Sequence, residues 1–248
     1  MTTTSVPDRG PVSVFSSMLG VGRLLRRCRV FEGISDEYHP YIGEVTVTEV
    51  TSEGTLGTTA KIPVTANKMA PITFTVQAAV SELDVDLPGF KPALDEAIIK
   101  ALTNAIEGRI ALECFKHAGS NLVPVLTTTA KYDTMLGNWI NLGDQVDLTD
   151  AVLMVARDYA IDIINYYPAQ DRMSTFTKSF GAEVFATNGL ASGTGVLVVG
   201  KSIHVVFYGE PKVYYDYTNP LLPAVTGRAY VGIAVMGNTA EAFQKASA

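Results

Sequence analysis

Charge is scarce in this chain of 248 residues: Asp, Glu, Lys and Arg together make up 18% of it, below the quarter or so usual for globular proteins. The hydrophobic fraction is 47% and the mean hydropathy +0.20. Little surface is set aside for water, which favours an oligomer over a monomer. The formal net charge of −6 and a pI near 5.1 exclude a surface basic enough to bind nucleic acid all over. There are only two cysteines, Cys28 and Cys114, without CxxC or CxxH spacing, so neither a disulfide framework nor a zinc site is expected and a reducing compartment is the default. No apolar run reaches the roughly 18 residues of a membrane span, so no membrane partner is expected. The basic cluster near the N-terminus follows the apolar residues instead of preceding them, against the order of a secretory signal.

Catalytic signatures are missing too. No GxSxG elbow occurs, and neither cysteine lies in a nucleophile context. His39, His117 and His204 have no helical ligand spacing and read as structural or surface groups. Asp144, Asp147 and Asp150 are close in sequence, but capping and solvation account for them better than a metal does. Tyr214, Tyr215 and Tyr217 have only Lys212 as a nearby cation, so packing is favoured over base stacking. One motif matches by letter: Gly195-Val-Leu-Val-Val-Gly200-Lys201-Ser202 fits the phosphate-loop pattern GxxxxGK[ST]. That loop needs a helix opening after the lysine so that N–H groups converge on phosphate. Here strand formers lie on both sides, and a hairpin with Gly200-Lys201-Ser202 as its loop is expected instead. No enzyme, cofactor, metal or catalytic residue is assigned.

What is present begins with residues 88–119. Pro92 suits the first position of a helix, and nothing breaks the helix until Gly119 except the interior Gly108. Leu94, Ile98, Ala101, Leu102, Ala105, Arg109 and Leu112 form one stripe, with Ile99, Ile106, Ile110 and Cys114 on its flank. Glu96 and Lys100 are set for an i,i+4 pair. Such a helix runs roughly 40 Å, a beam more than a core filler.

Around it, residues 1–10 read as a polar tail. Residues 12–30 hold Arg23, Arg26, Arg27 and Arg29 among Phe15, Met18, Leu19, Leu24 and Leu25. An amphipathic helix, a transit-peptide-like leader, and an arm facing polyanion or a neighbouring subunit all fit. Residues 44–80 carry β signals, ending in the strict alternation of Ile72, Phe74, Val76, Ala78 and Val80. With no adjacent helix to bury that face, the ribbon is expected to lie on another subunit, unless a later sheet covers it. A helix capped by Asp147 or Thr149 is expected over 152–167, and a third, interrupted near Gly181, over 171–186. Strands are expected over 195–199, 203–208, 212–217 and 228–236. Asn238 with Glu241 suggests a capping box opening a terminal helical turn.

This order of elements resembles the major capsid proteins of tailed double-stranded DNA bacteriophages. The resemblance covers nearly the whole chain, in architecture and without a diagnostic motif. It implies an α+β phage major-capsid fold: an N-terminal arm (1–41), an extended β-hairpin loop (42–82), a peripheral domain with the spine helix (83–130), an axial domain (131–210) and a return to the peripheral domain (211–248). The ending from Thr226 to Phe243 is similar to the family's final strand, turn and short helix. By the same resemblance the chain is a structural subunit that self-assembles into pentamers, and hexamers in a larger shell, to form an icosahedral capsid in the virion, assembled in the host cytoplasm. Its partners would be further copies of itself, packaged double-stranded DNA, and scaffolding, portal or decoration proteins. Arg23, Arg26, Arg27 and Arg29 are the candidates to face DNA phosphate. Lys61, Lys68, Ile72, Phe74 and Val76 are the candidates for the inter-subunit loop. Some members crosslink subunits through a lysine in that loop, but no signature marks Lys61 or Lys68 as reactive, and no crosslink is assigned. An encapsulin-like nanocompartment shell, another phage structural protein such as a tail-tube subunit, and an enzyme with a nucleotide site at 195–202 are the alternatives.

Overall fold

The computed structural model describes residues 12–32, 38–42, 64–68, 71–80, 89–118, 123–125, 150–166, 183–216, 224–236 and 239–245. The N-terminal part holds β1 (Val12–Ser13), α1 (Phe15–Val21), a 3-10 turn (Leu25–Arg27), β2 (Arg29–Glu32), β3 (Tyr38–Ile42), β4 (Val64–Lys68) and β5 (Ile72–Ala79). Then come α2 (Phe90–His117), β6 (Val123–Val125), β7 (Ala151–Ala156), α3 (Arg157–Tyr166) and β8 (Glu183–Thr187). The last part is β9 (Thr194–Val199), a 3-10 corner (Gly200–Ser202), β10 (Ile203–Phe207), β11 (Lys212–Asp216), β12 (Ala224–Val235) and β13 (Ala240–Lys245).

The helix α2 starts two residues earlier than expected, at Phe90, so Pro92 is its third residue, where the missing N–H is still one that has no helical partner. Gly89 holds φ 81°, a left-handed turn that only glycine takes cheaply, and no side chain caps the helix. Lys116 and His117 stand in its last turn, where cations suit the dipole. The buried face is Ile98, Ile99, Leu102, Thr103, Ile106, Ile110, Ala111 and Cys114. The expected main stripe is therefore rotated: Ala101 and Ala105 face solvent, and the line expected on the flank is central. The longer isoleucine side chains remove more apolar area from water than alanine can, about 1.5–3 kcal/mol each, and they set the orientation. Thr103 satisfies its buried hydroxyl on the Ile99 carbonyl, 2.7 Å away. The ion pairs on this helix are Arg109–Glu113 (2.6 Å) and Glu113–Lys116 (3.2 Å), not Glu96–Lys100.

Two sheets use this helix as their common support. In the first, β12 is the central strand. One edge pairs antiparallel with β5 over its whole length. The other edge pairs with β10 and then β11, consecutive strands separated by the turn at Gly209 (φ 86°). β2 runs parallel to β10, and β1 antiparallel to β11. The second sheet has the order β6-β13-β9-β7-β8, and β3 pairs with β4 separately. The expected boundary at residue 210 thus falls inside the first sheet, between β10 and β11.

Four expectations are corrected. Residues 151–156 are a strand, not the start of a helix: all six are buried between β8 and β9, and only α3 is helical. An apolar run buried on both faces satisfies helical and strand spacing alike, and here the ladder wins. Residues 183–186 of the expected third helix belong to β8, while 171–182 lie outside the described residues. The terminal turn is instead strand β13, with Ala240 and Ala242 buried, because it supplies the ladder partner of β9.

The fourth concerns 195–208. Both strands exist, but they form no hairpin, since β9 belongs to the second sheet and β10 to the first. The chain changes sheet at Gly200–Ser202 and changes back after β12. The two crossings are stapled together. Met236 N donates to the Ser202 carbonyl (2.9 Å), Val199 N to the Thr239 carbonyl (3.2 Å), and the Thr239 and Ser202 hydroxyls bond at 2.7 Å.

Candidate nucleic-acid interface

The segment that carries the arginines is folded onto the body. Val14, Met18, Leu24 and Leu25 are buried, and the Phe15 ring meets Phe207 edge-on at 5.1 Å. Of the three readings open for 12–30, the single amphipathic helix shrinks to α1. Past it, Leu24 and Leu25 turn inward, so Arg23, Arg26 and Arg27 are left on the outside. The anchor is Glu107 on α2: one of its carboxylate oxygens accepts the N–H of Leu24 (2.7 Å) and of Leu25 (3.1 Å). Burial pushes the Glu107 carboxyl above its ordinary range, against the opposing pull of those two N–H groups and of Arg23 and Arg26.

Three of the four candidate arginines come together. Arg23, Arg26, Arg27 and Glu183 line one open pocket of about 390 Å³. Glu183 arrives from β8, more than 150 positions further along the chain. Arg23 Nη2 donates to its Oε1 at 3.0 Å, and Arg27 donates to its Oε2 from Nη2 (2.7 Å) and Nε (3.1 Å). Arg23 also lies over the Phe185 ring, 5.2 Å from the centroid, and Arg26 Nε donates to the Gly22 carbonyl at 3.0 Å. Burial alone would raise the Glu183 carboxyl, but the hydrogen bonds and charges of Arg27 and Arg23 outweigh it and hold the carboxyl below its ordinary range. The arginines remain wet, with side-chain exposures of 64% for Arg23 and 44% for Arg27. Arg29 stands apart on β2, opposite His204 in register. Sequence reasoning missed Glu183 and Glu107, because nothing local distinguishes either from an ordinary surface glutamate.

The loop candidates fare differently. Ile72, Phe74 and Val76 alternate as expected, but their strand pairs with β12 of the same chain, and Phe74 and Val76 pack on the chain's own core. The face that argued for a neighbouring subunit packs against α2, and the edge of the strand is taken by β12. Lys68 ends β4, paired with Tyr38. Lys61 lies outside the described residues.

The letter match at 195–202 builds no phosphate loop. Val196 to Val199 are buried strand, no helix follows Lys201, and Lys201 forms an ion pair with Asp150. A Cβ on Gly200 would lie 2.8 Å from the Arg27 carbonyl, so that glycine lets two segments pass and cradles no anion. Tyr215 packs on the core with its hydroxyl on Asp95, whereas Tyr214 is exposed under Arg228, 5.9 Å from the ring. Asp144, Asp147 and Tyr217 lie outside the described residues. Burial pushes both cysteine thiols up, which makes them poor nucleophiles. Among the described residues no cluster of His, Cys, Asp or Glu fits a metal ion, and no helix is long and apolar enough to cross a membrane.

No family model and no curated protein matches the sequence. Solved structures do match, over nearly the whole chain. A chain from the capsid of an empty gene transfer agent particle superposes with a TM-score of 0.66 at 12% identity, covering 90% of this chain and 96% of that one. This is a capsid fold. A chain of the satellite phage P4 procapsid matches with a TM-score of 0.58 at 10% identity, covering 94% and 98%. The virus-like particle of Pyrococcus furiosus matches with a TM-score of 0.61 at 11% identity, covering 94% and 100%. The match covers at least 90% of this chain in each case, and the mixed helix and sheet agree with the fold class expected from the sequence.

Proposed function

We propose that the chain is the structural subunit of an icosahedral viral capsid, building its shell by self-association and enclosing double-stranded DNA. One observation carries this reading: structures from three different containers share its fold over at least 90% of both chains compared. A closed shell needs no strong single contact, because modest interfaces repeated around closed symmetry suffice. Pentamers, with hexamers in a larger shell, are the building blocks. Scaffolding, portal or decoration proteins are further partners of such a shell. The role is structural and not catalytic, and the place of action is the virion, with assembly in the host cytoplasm.

Arg23, Arg26 and Arg27 are the residues that meet DNA phosphate. They concentrate three cations on one exposed pocket of a chain whose net charge is −6. Negative-stain microscopy of the purified protein tests the main reading, with closed shells expected. A monodisperse monomer at high concentration would refute it, and open tubes or rings would place the chain with tail or connector proteins. Shells that contain protein cargo and no nucleic acid would favour the encapsulin-like alternative.

A further inference from the structure

Glu183 and the arginines form an arrangement that a simple structural bridge does not require. One carboxylate is shared by two arginines, each taking a different oxygen, while a third arginine lines the same pocket. The formal charge of the four groups is +2, so the pocket stays electropositive with its own anion in place. A phosphodiester offers the same two-oxygen fork to the same donors, as part of a polymer that brings many charges at once. Ion pairs this exposed are weak, so exchanging one partner for another costs little. Two of the arginines have supports independent of the carboxylate: the Phe185 face beneath Arg23 and the Gly22 carbonyl on Arg26. Glu183 itself is fixed to β8 and cannot diffuse away, so it competes at high effective concentration.

We infer that Glu183 is a built-in competitor for a phosphate seat formed by Arg23, Arg26 and Arg27, occupying the seat until duplex DNA takes its place. This rests on the proposal that these arginines meet DNA, and it adds that their affinity is held down from within the chain. A subunit so tuned binds DNA weakly one copy at a time and firmly only when many copies act together.

Fluorescence anisotropy with a short labelled DNA duplex tests this on the full-length, unassembled chain across a salt series. Three proteins are compared: the parent, Glu183→Gln, and the triple variant Arg23→Gln/Arg26→Gln/Arg27→Gln. Glu183→Gln is expected to bind about 5-fold tighter, with a salt dependence steeper by about one phosphate contact. The triple variant is expected to lose most binding. If the triple variant weakens but Glu183→Gln binds no tighter than the parent, the competitor role is overturned and the arginine reading stands. If the triple variant binds like the parent, the arginine reading itself fails. Glu183→Ala, which removes the carboxylate without adding an amide, must follow Glu183→Gln; a weaker-binding Glu183→Ala overturns the competitor role equally.

Discussion

Gly108 and Gly189 touch, and the contact predicts opposite outcomes for the same small substitution. Gly189 lies in the loop after β8, and its N–H reaches the Thr187 hydroxyl at 3.0 Å. A Cβ built on Gly189 would overlap the Gly108 carbonyl oxygen and stand 2.5 Å from its carbon. Those atoms are helix backbone and cannot rotate away, so the loop must lift by more than an ångström or α2 must bend. Overpacking of this kind costs about 1–3 kcal/mol, and lifting the loop adds the Thr187 hydrogen bond, about 1 kcal/mol. Gly189→Ala should therefore destabilise by about 3 kcal/mol. In the converse substitution, a Cβ on Gly108 meets Gly189 Cα at 3.6 Å, Gly189 N at 3.7 Å and Thr187 Oγ1 at 3.8 Å, which is ordinary contact. Replacing an interior helix glycine by alanine gains up to about 1 kcal/mol, so Gly108→Ala should be neutral or stabilising. Denaturant unfolding of the two variants beside the parent, at one protein concentration, measures both. Equal effects, or a Gly189→Ala loss below about 0.5 kcal/mol, would show that the loop does not cross the helix as described.

Two other expectations follow from burial and from charge. Ile106 is fully buried on α2, so Ile106→Ala should cost about 2–5 kcal/mol in the same unfolding assay, whereas Ala105→Ser one position away should change stability by less than about 0.5 kcal/mol. The Glu183 carboxyl is held below its ordinary value of 4.5, so it contributes stability above that pH and loses it as pH falls through the folded-state value. The parent's stability advantage over Glu183→Gln should therefore shrink on acidification below about pH 4.5, and an advantage that is constant with pH would disprove the pairing.

Legibility in the sequence followed the range of the physical signal. The long helix was readable because Pro92 marks its first turn and no strong breaker follows for many residues, although Phe90 and Lys91 ahead of the proline are helical as well. Alternation marked β5 and β12, each half-buried with one apolar face. What failed were segments whose pattern serves two structures. Ala151–Ala156 is apolar throughout, so burial on both faces looks the same as one wide helical stripe. Asn238 and Glu241 fit a capping box, yet the strand edge of β9 decided that segment, and pairing partners 40 or more positions away leave no local mark. The arginine cluster could be read as charge in sequence, but its meaning depends on Glu183 and Glu107, which only folding brings near. The expectation of an uncovered β5 failed differently: α2, the next helix along the chain, packs against it, while β12 takes its edge from some 150 residues downstream.

The two adjacent passes between the sheets bear on how load travels. A single connector would let one sheet swing against the other about one covalent strand. Here the two passes are tied to each other through Ser202 and Thr239, and α2 packs against both sheets like a keel. Torque on either sheet is shared by both connectors and the keel. A wall made of such units would yield at the joints between copies before it yielded inside one.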